Sequence, residues 1–190
     1  MGRKSSFQDA TIYAAVGRAL MRQGDVRLQS IVTETGVSVG SLYHRFGSRD
    51  GLLARAWLDA LTAFHQRFLE ALETQGDWPG LEAALATPRF CRDEPDRALI
   101  LVCCRRSELI TPDVPKDVAA ALDRANDRVL SALEAFAERE GLSPDAASLG
   151  LVGFPLGAVK LYLPDRPLPD GLEDDVAAAY RTLYERHRPR

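Results

Sequence analysis

The chain has 190 residues, of which 46% are hydrophobic, and this composition suits one or two small domains with a buried core rather than a disordered chain. The first ten residues, MGRKSSFQDA, lack the apolar run of a secretory signal, and no later stretch approaches the roughly 18 apolar residues of a membrane span. We therefore expect a cytoplasmic protein without a membrane segment.

The net charge of −3 hides an asymmetry between the two ends of the chain. Residues 1–55 hold eight Lys/Arg and four Asp/Glu, a balance of +4, whereas the remaining residues hold 16 and 23, a balance of −7. A basic head on an acidic body is expected if only the amino-terminal part meets a polyanion. A chance fluctuation of surface charge is the alternative.

Apolar residues recur at helical spacing along the whole chain, which predicts an all-α fold of about nine helices. The first three are short and share one core. Gly24 ends the first helix, Gly36 ends the second, and Ser38 caps the third. The apolar positions of this predicted three-helix head are Ile12, Ala15, Val16, Ala19, Leu20, Leu28, Ile31, Val32, Leu42 and Phe46.

A long fourth helix, capped by Ser48, follows with an apolar stripe that runs to about Gln75. Because this helix leaves the head without a Gly/Ser tether, it predicts a rigid connection to the rest of the chain. After a break at QGDWPG, we expect a weaker helix around residues 81–85 and a buried helix over roughly residues 95–109.

Three further helices complete the predicted helical bundle. The apolar repeat over residues 118–136 predicts a regular helix that packs closely against its neighbours. Ser143 caps the next helix, and Pro155 inside that helix should kink or interrupt it. Asp170 and Glu173 resemble a capping box for the last helix.

The most informative stretch is LQSIVTETGVSVGSLYHRFG, residues 28–47. It predicts two short helices joined by a tight turn, in which Gly36 adopts a left-handed conformation that costs other residues about 1 kcal/mol or more. Small residues begin the second helix, and Tyr43 and His44 lie near its end. Small residues suit a close approach to base edges, while hydroxyl and cationic groups suit phosphates.

A longer pattern extends this motif from Leu28 to Leu53: L-Q-S-I-V-x-x-x-G-V-S-x-G-S-L-Y-x-x-F-x-S-R-D-x-L-L. It closely resembles the DNA-binding signature of the TetR (tetracycline repressor) family of bacterial transcriptional regulators, over about residues 7–55. The resemblance implies a DNA-binding helix-turn-helix domain over residues 1–50 and a ligand-sensing and dimerisation domain over residues 51–190. It also implies a repressor that a small-molecule ligand releases from its operator.

Carried onto this sequence, the resemblance implies two sets of DNA contacts. The small residues at the start of the third helix would face the base edges, and later side chains would bind phosphates. Residues at the start of the second helix would contact the flanking DNA backbone. For Tyr43 the alternative is an aromatic that closes the core, and for Arg49 a solvated helix-start residue. The implied DNA-binding residues are Arg27, Gln29, Ser38, Val39, Gly40, Ser41, Tyr43, His44 and Arg49.

The resemblance also implies a homodimer, because one head makes too few contacts and paired heads occupy half-sites roughly 34 Å apart. It places the interface on the last two helices, about residues 144–163 and 171–187. For any one of these residues, an intramolecular core is the alternative. The expected interface residues are Gly153, Leu156, Gly157, Val159, Val176, Tyr180 and Leu183.

A pocket for an unknown small-molecule effector would lie among helices four to eight, although aromatic stripes at helical spacing also form ordinary cores. The candidates are Phe64, His65, Phe68, Phe90, Cys103, Arg106 and Phe154. The three cysteines, Cys91, Cys103 and Cys104, lack disulfide or zinc-ligand spacing, which favours buried small residues over redox-sensing thiols.

The sequence favours a regulator over an enzyme. It holds no glycine-rich phosphate loop, HExxH, serine elbow or carboxylate-histidine cluster, and its histidines, His44, His65 and His187, lie far apart. We therefore predict no catalytic residues, metal or cofactor, and double-stranded operator DNA as the partner. The alternative is a TetR-like helical interaction protein that no longer binds DNA.

Overall fold

The computed structural model of the protein describes residues 2–104 and 114–188. Within these residues it contains nine helices and no strand, which confirms the predicted all-α fold. The helices are α1 (Gly2–Gln23), α2 (Leu28–Thr35), α3 (Val39–Phe46), α4 (Arg49–Leu72), α5 (Leu81–Asp93), α6 (Pro95–Cys103), α7 (Lys116–Glu140), α8 and α9 (Leu172–His187). Helix α8 has two α-helical parts, Pro144–Ser148 and Phe154–Lys160, joined by a π-helical turn, Leu149–Gly153.

Serine side chains fix the starts of three helices, as predicted. The hydroxyl of Ser38 accepts a hydrogen bond from the amide of Ser41 at 3.2 Å, and that of Ser48 accepts one from Gly51 at 2.9 Å. Ser143 caps α8 in the same way. Each hydroxyl satisfies one of the backbone N–H groups that a helix start leaves unpaired.

The end of the chain departs from one prediction, because Asp170 and Glu173 do not form a capping box. The residue before α9 is Gly171, and no side chain caps the helix. The Glu173 carboxylate instead pairs with Arg89 at 3.0 Å and with Arg92 at 3.3 Å, both on α5. Two guanidinium groups therefore bind the carboxylate that was expected to cap its own helix.

Two predicted helix lengths also change. Helix α5 runs to Asp93 rather than ending near residue 85, and it keeps Pro88 inside. Pro88 is buried, as are most of the residues around it, so packing outweighs the hydrogen bond that a proline removes. The helix predicted over residues 95–109 is α6, which ends at Cys103, and residues 105–109 lie outside the described part of the chain.

The chain divides into two compact units, residues 1–61 with 94–122 and residues 62–93 with 123–190. In the first unit, α1, α2 and α3 share a core of fully buried side chains, and α6 packs along α1. The approach of α6 is close at Gly17, where a Cβ atom would lie 2.2 Å from the carbonyl oxygen of Asp96. The core side chains of this head are Ile12, Ala15, Val16, Ile31, Leu42 and Phe46.

The second unit packs α5, α8 and α9 around Tyr180, which is buried. The Tyr180 hydroxyl donates a hydrogen bond to the carbonyl of Pro79 at 2.5 Å, which gives its one polar atom a partner. Within residues 2–104 and 114–188, no single helix is long and apolar enough to cross a membrane, and α7 with α8 passes that test only as a bent pair.

Candidate nucleic-acid interface

The turn between α2 and α3 sets the direction in which α3 projects. Gly36 has φ of 71° and ψ of 4°, which is the left-handed conformation expected from the sequence. Its amide donates a hydrogen bond to the carbonyl of Val32 at 2.9 Å and so closes the end of α2. A Cβ atom at Gly36 would meet nothing within 4 Å, so the backbone conformation alone selects glycine here.

Helix α3 has a buried face and an open one. Leu42 and Phe46 are buried against α1 and α2, as the sequence predicted. The opposite side, which we call the reading face, is exposed at every residue expected to contact DNA from this helix. The reading face consists of Ser38, Val39, Gly40, Ser41, Tyr43 and His44.

The reading face begins with small residues, two of which carry hydroxyl groups, and ends with the larger polar side chains of Tyr43 and His44. The hydroxyls of Ser38 and Ser41 lie 2.9 Å apart and share a hydrogen bond, which leaves each able to bind a further partner. Gly40 is exposed, and a Cβ atom there would meet only the Ser38 hydroxyl, at 4.0 Å. The Tyr43 side chain is 50% exposed rather than closing the core. Such a face can reach both base edges and phosphates.

Arg49 lies at the start of α4, as expected, and its guanidinium makes several contacts within the head. Its Nε donates a hydrogen bond to the carbonyl of Val26 at 2.7 Å, and its guanidinium pairs with Asp25 and Asp50. These contacts tie the loop before α2 to the start of α4. The Val26 amide, followed by the positive charge of Arg49, lowers the pKa of Asp25. Arg49 thus holds the head together, and its side chain is still 41% exposed.

The start of α2 carries the other two predicted DNA contacts, Arg27 and Gln29. Both side chains are exposed, and both line an open groove of about 580 Å³ between α1 and α2. Arg27 differs from its neighbour Arg22, which pairs with Glu34 at 2.5 Å. Among the described residues, Arg27 makes no ion pair within 4 Å, and its charge adds only the last of the contributions that lower the pKa of Asp25. Its exposed guanidinium can therefore meet an external anion.

The charge count of the sequence overstates the free positive charge of the head. Six arginines lie between residues 18 and 55, and ion pairs with carboxylates engage all of them except Arg27. The partners include Asp96 and Asp117, which lie far along the chain in the half counted as acidic. Pairing across such a distance cannot be predicted from a count of charges.

The residues predicted to line one pocket lie in several different parts of the structure. Phe64, Phe68 and Phe90 form an aromatic cluster in the second unit, with ring centroids 6.0 Å apart for Phe64–Phe68 and 5.4 Å for Phe64–Phe90. Phe154 is 42% exposed on α8, and Cys103 is half-buried on α6 in the first unit. Arg106 lies outside the described residues.

His65 lines a half-open cavity of about 360 Å³ between α4 and α7. Burial lowers the pKa of His65, only partly opposed by its hydrogen bond to the Ala125 carbonyl. Its Nδ1 atom is buried and meets no partner among the described residues. The sequence analysis missed the polar lining of this cavity, although three of its members lie within about one helical turn of His65. The other lining residues are Thr62, Gln66, Leu69, Glu70, Ala125 and Arg128.

The lowered pKa of His65 gives a testable pH dependence. In the unfolded chain this imidazole binds a proton as the pH falls below 6.5, whereas burial resists that proton in the folded protein. The unfolded state therefore binds more protons over this window, and stability falls as the pH drops from about 7 toward the folded-state pKa. His65→Gln should lose less stability than the wild type between about pH 7 and pH 5 in urea titrations. The control is His44→Gln at an exposed position, and equal losses in wild type and His65→Gln would contradict the expectation.

None of the three cysteines forms a disulfide. Burial raises the pKa of the Cys91 thiol to about 12, which keeps this thiol protonated. Within the described ranges, no group of three or more His, Cys, Asp or Glu residues could hold a metal ion.

The predicted interface residues divide between the surface and the interior. Gly153, Leu156 and Gly157 on α8 are exposed. The remaining four lie in the core of their own unit, which is the alternative that the sequence left open. The π-helical turn shifts the helical phase of α8, so regular spacing cannot identify its outer face. The four core residues are Val159, Val176, Tyr180 and Leu183.

Two exposed apolar residues were missed by the sequence analysis: Leu149 on α8, with an exposure of 46%, and Leu161 directly after α8, with 70%. Phe154, which was expected in the pocket, is 42% exposed on α8. Together with Gly153, Leu156 and Gly157 these residues form what we call the α8 patch. Apolar side chains exposed together are typical of an interaction surface.

Comparison with known proteins identifies the head. The family model described as "Bacterial regulatory proteins, tetR family" matches residues 15–56, which include α2, α3 and the start of α4. No curated protein matches the sequence of the chain.

Solved structures match over almost the whole chain. A TetR family transcription regulator from Marinobacter aquaeolei VT8 has a TM-score of 0.74 at 13% identity, with 100% of both chains covered. The TetR family regulator PfmR from Thermus thermophilus has a TM-score of 0.65 at 19% identity, covering 94% of this chain and 99% of that one. NalD, the secondary repressor of the MexAB-OprM multidrug efflux pump in Pseudomonas aeruginosa, has 0.68 at 16%, with 98% of each covered. Residues 15–56 thus match the model of the TetR family, and the whole chain has the fold of solved TetR family regulators.

Proposed function

We propose that the chain is a transcriptional regulator that binds operator DNA through α3, acts as a homodimer and is released by a small-molecule effector. The observation that supports this most is the reading face, which is exposed along its whole length while the other side of α3 is buried. A short helix with small residues first and larger polar ones later suits insertion into the major groove. In this proposal residues 1–50 form the DNA-binding domain and residues 51–190 the sensing and dimerisation domain.

Each group on the proposed interface has one task. Gly40 lets the helix backbone approach the bases, and the hydroxyls of Ser38 and Ser41 can donate or accept at their edges. Tyr43 and His44 reach phosphates, which fix the register of the protein on the duplex. Arg27, whose charge is available, meets the flanking backbone near the positive end of α2. Arg49 acts on DNA indirectly, by holding the head in shape.

The test begins with duplexes that the wild-type protein selects from a randomised pool. Its affinity for these should fall as salt rises, since phosphate contacts release counterions. Arg27→Ala should reduce the slope of log K against log salt by about 1, because one phosphate contact is lost. Tyr43→Phe, which removes one hydroxyl, should weaken binding without unfolding the head.

Arg186→Ala is the matched control for Arg27→Ala, since it removes an exposed arginine from α9 in the second unit. We expect it to leave the salt slope unchanged. A wild-type protein that enriches no sequence from the pool would contradict the proposed function.

The homodimer is proposed to form through the α8 patch. The four apolar side chains of the patch supply area that association can bury, and its glycines allow close approach between helices. Tyr180 and the other core residues support this surface from inside rather than touching the partner.

Leu149→Glu tests this interface, because it places a charge in the patch at a position that is already 46% exposed. We expect the dimer to become a monomer, as measured by sedimentation equilibrium. Leu130→Glu on α7, at a leucine that is 56% exposed and outside the patch, should leave the dimer intact. A Leu149→Glu protein that stays dimeric would move the interface elsewhere.

The effector is proposed to enter the cavity beside His65, which lies on the same helix, α4, that follows the reading face in the chain. A coupling of about 1–3 kcal/mol between effector and DNA would change operator occupancy several-fold to about a hundredfold. The repressor role is supported by NalD, which shares the fold and is described as a repressor.

One observation favours a second candidate, a helical interaction protein that no longer binds DNA. Ion pairs occupy five of the six arginines in the 18–55 segment, which leaves little free charge for phosphates. The selection experiment separates the two functions, since this candidate would dimerise normally and enrich no duplex.

A further inference from the structure

We propose that Arg18 is a positioning residue for DNA binding: by joining Glu34 of α2 to Asp96 of α6, it fixes the orientation of the helix pair that carries the reading face. The inference rests on the proposed DNA-binding function and adds to it a group that acts through other residues.

The contacts of Arg18 reach both neighbours of α1 at once. Its Nε donates to Oε1 of Glu34 at 2.5 Å, and its Nη1 donates to Asp96. Arg22, one turn further along α1, donates to the other Glu34 oxygen, Oε2, at 2.5 Å. Both oxygens of Glu34 are thereby held from successive turns of one helix, which restricts the side chain far more than a single ion pair would.

Glu34 occupies a place where this restriction affects the reading face. It lies in the last turn of α2, two residues before the left-handed Gly36 that directs α3. A carboxylate near a helix carboxyl terminus is disfavoured by the helix dipole. Burial alone would raise the pKa of Glu34, but the hydrogen bonds and charges of Arg18 and Arg22 outweigh it and leave that pKa lowered. The two arginines therefore keep the negative charge of Glu34 at a position where the dipole of α2 disfavours it.

The other end of the bridge is a tight contact between backbones. Asp96 lies in the first turn of α6, and its carbonyl oxygen faces Gly17, the residue next to Arg18. The next residue of α6, Arg97, pairs with Asp59 of α4 at 2.9 Å. The first turn of α6 is thus joined to α1 and to α4, so a change in its position would be passed to the head through Arg18.

These ion pairs are half-exposed, with side-chain exposures of 36% for Arg18, 26% for Glu34 and 33% for Asp96. Pairs of this kind add little to the stability of a protein. The loss of these pairs should therefore change the orientation of the head, and with it the DNA affinity, more than the free energy of unfolding.

The decisive variants are Asp96→Asn and Glu34→Gln, measured with the duplexes selected by the wild type. Each removes a negative charge, so a purely electrostatic role predicts tighter DNA binding. A positioning role predicts the opposite, and we expect binding to weaken about fivefold, within the range of such couplings. The salt slope should stay at its wild-type value, because no phosphate contact is lost.

Two controls accompany these variants. Asp96→Glu keeps a carboxylate and should restore most of the affinity. Asp93→Asn makes the same substitution in an ion pair of the second unit, with Arg67 at 2.7 Å, and should leave affinity unchanged. Hydrogen exchange of the free protein gives a readout without DNA, in which Asp96→Asn should speed the exchange of amides in residues 31–46.

Asp96→Asn and Glu34→Gln proteins that bind as tightly as the wild type, or more tightly, would overturn the positioning role and leave the proposed function in place. Unchanged amide exchange in residues 31–46 would also count against the positioning role. A wild-type protein that selects no duplex would overturn the proposed function and this inference together.

Discussion

Alanine at Gly51 should destabilise the protein by about 3 kcal/mol, at the upper end of what overpacking costs. The new Cβ atom would lie 2.2 Å from the carbonyl oxygen of Phe46 and 3.3 Å from the Ser48 hydroxyl. The first of these is a backbone atom at the end of α3, so no side-chain rotation relieves the clash. To make room, the end of α3 must move away from the start of α4, and Phe46 must leave its place in the core of the head.

Urea unfolding of Gly51→Ala and Gly40→Ala provides the measurement and its control. Gly40 lies inside α3, and a Cβ atom there would meet only the Ser38 hydroxyl at 4.0 Å, so alanine should raise the free energy of unfolding by up to about 1 kcal/mol. The two glycine-to-alanine changes are thus expected to act in opposite directions. Equal unfolding midpoints for Gly51→Ala and the wild type would show that α3 and α4 are free to separate.

Gly40→Glu should reduce affinity for the selected duplexes by about 100-fold, because it places a carboxylate against the DNA, where like charges cost several kcal/mol. Folding is expected to tolerate this change, since the site is open. The loss would thus arise at the interface and not from an unfolded head, which thermal unfolding of the free protein can verify.

The matched control is Gly171→Glu, which makes the same change in charge at a glycine that also has nothing within 4 Å. Gly171 belongs to the second unit, and its substitution should change DNA affinity less than about twofold by charge alone. Comparable losses for both variants would mean that net charge, and not the reading face, controls binding.

Features that depend on neighbours in sequence could be predicted. Ser38 and Ser48 cap the helices that immediately follow them, and Gly36 turns the chain by its own backbone freedom. The reading face could be predicted for the same reason, because the buried positions of Leu42 and Phe46 fix which side of one short helix is open.

Features that depend on distant partners could not be predicted. Arg49 binds the carbonyl of Val26, 23 residues away, and Glu173 binds Arg89, 84 residues away. For Glu173 the local pattern suggested a capped backbone, and tertiary contact supplied another partner. For Arg49 the local pattern gave no sign of the contacts that it makes within the head. The cavity at His65 could not be predicted from the aromatic stripe of α4, because Ala125 and Arg128 join its lining from α7, about 60 residues further along the chain.

The π-helical turn of α8 sets which side chains of the following segment are exposed. A π turn accommodates one residue more than an α-helical turn, so the side chains that follow are rotated by about 100° relative to an uninterrupted helix. In the proposed homodimer, this rotation would decide which stripe of α8 faces the partner. A chain with the same residues but without the extra one would present a different stripe.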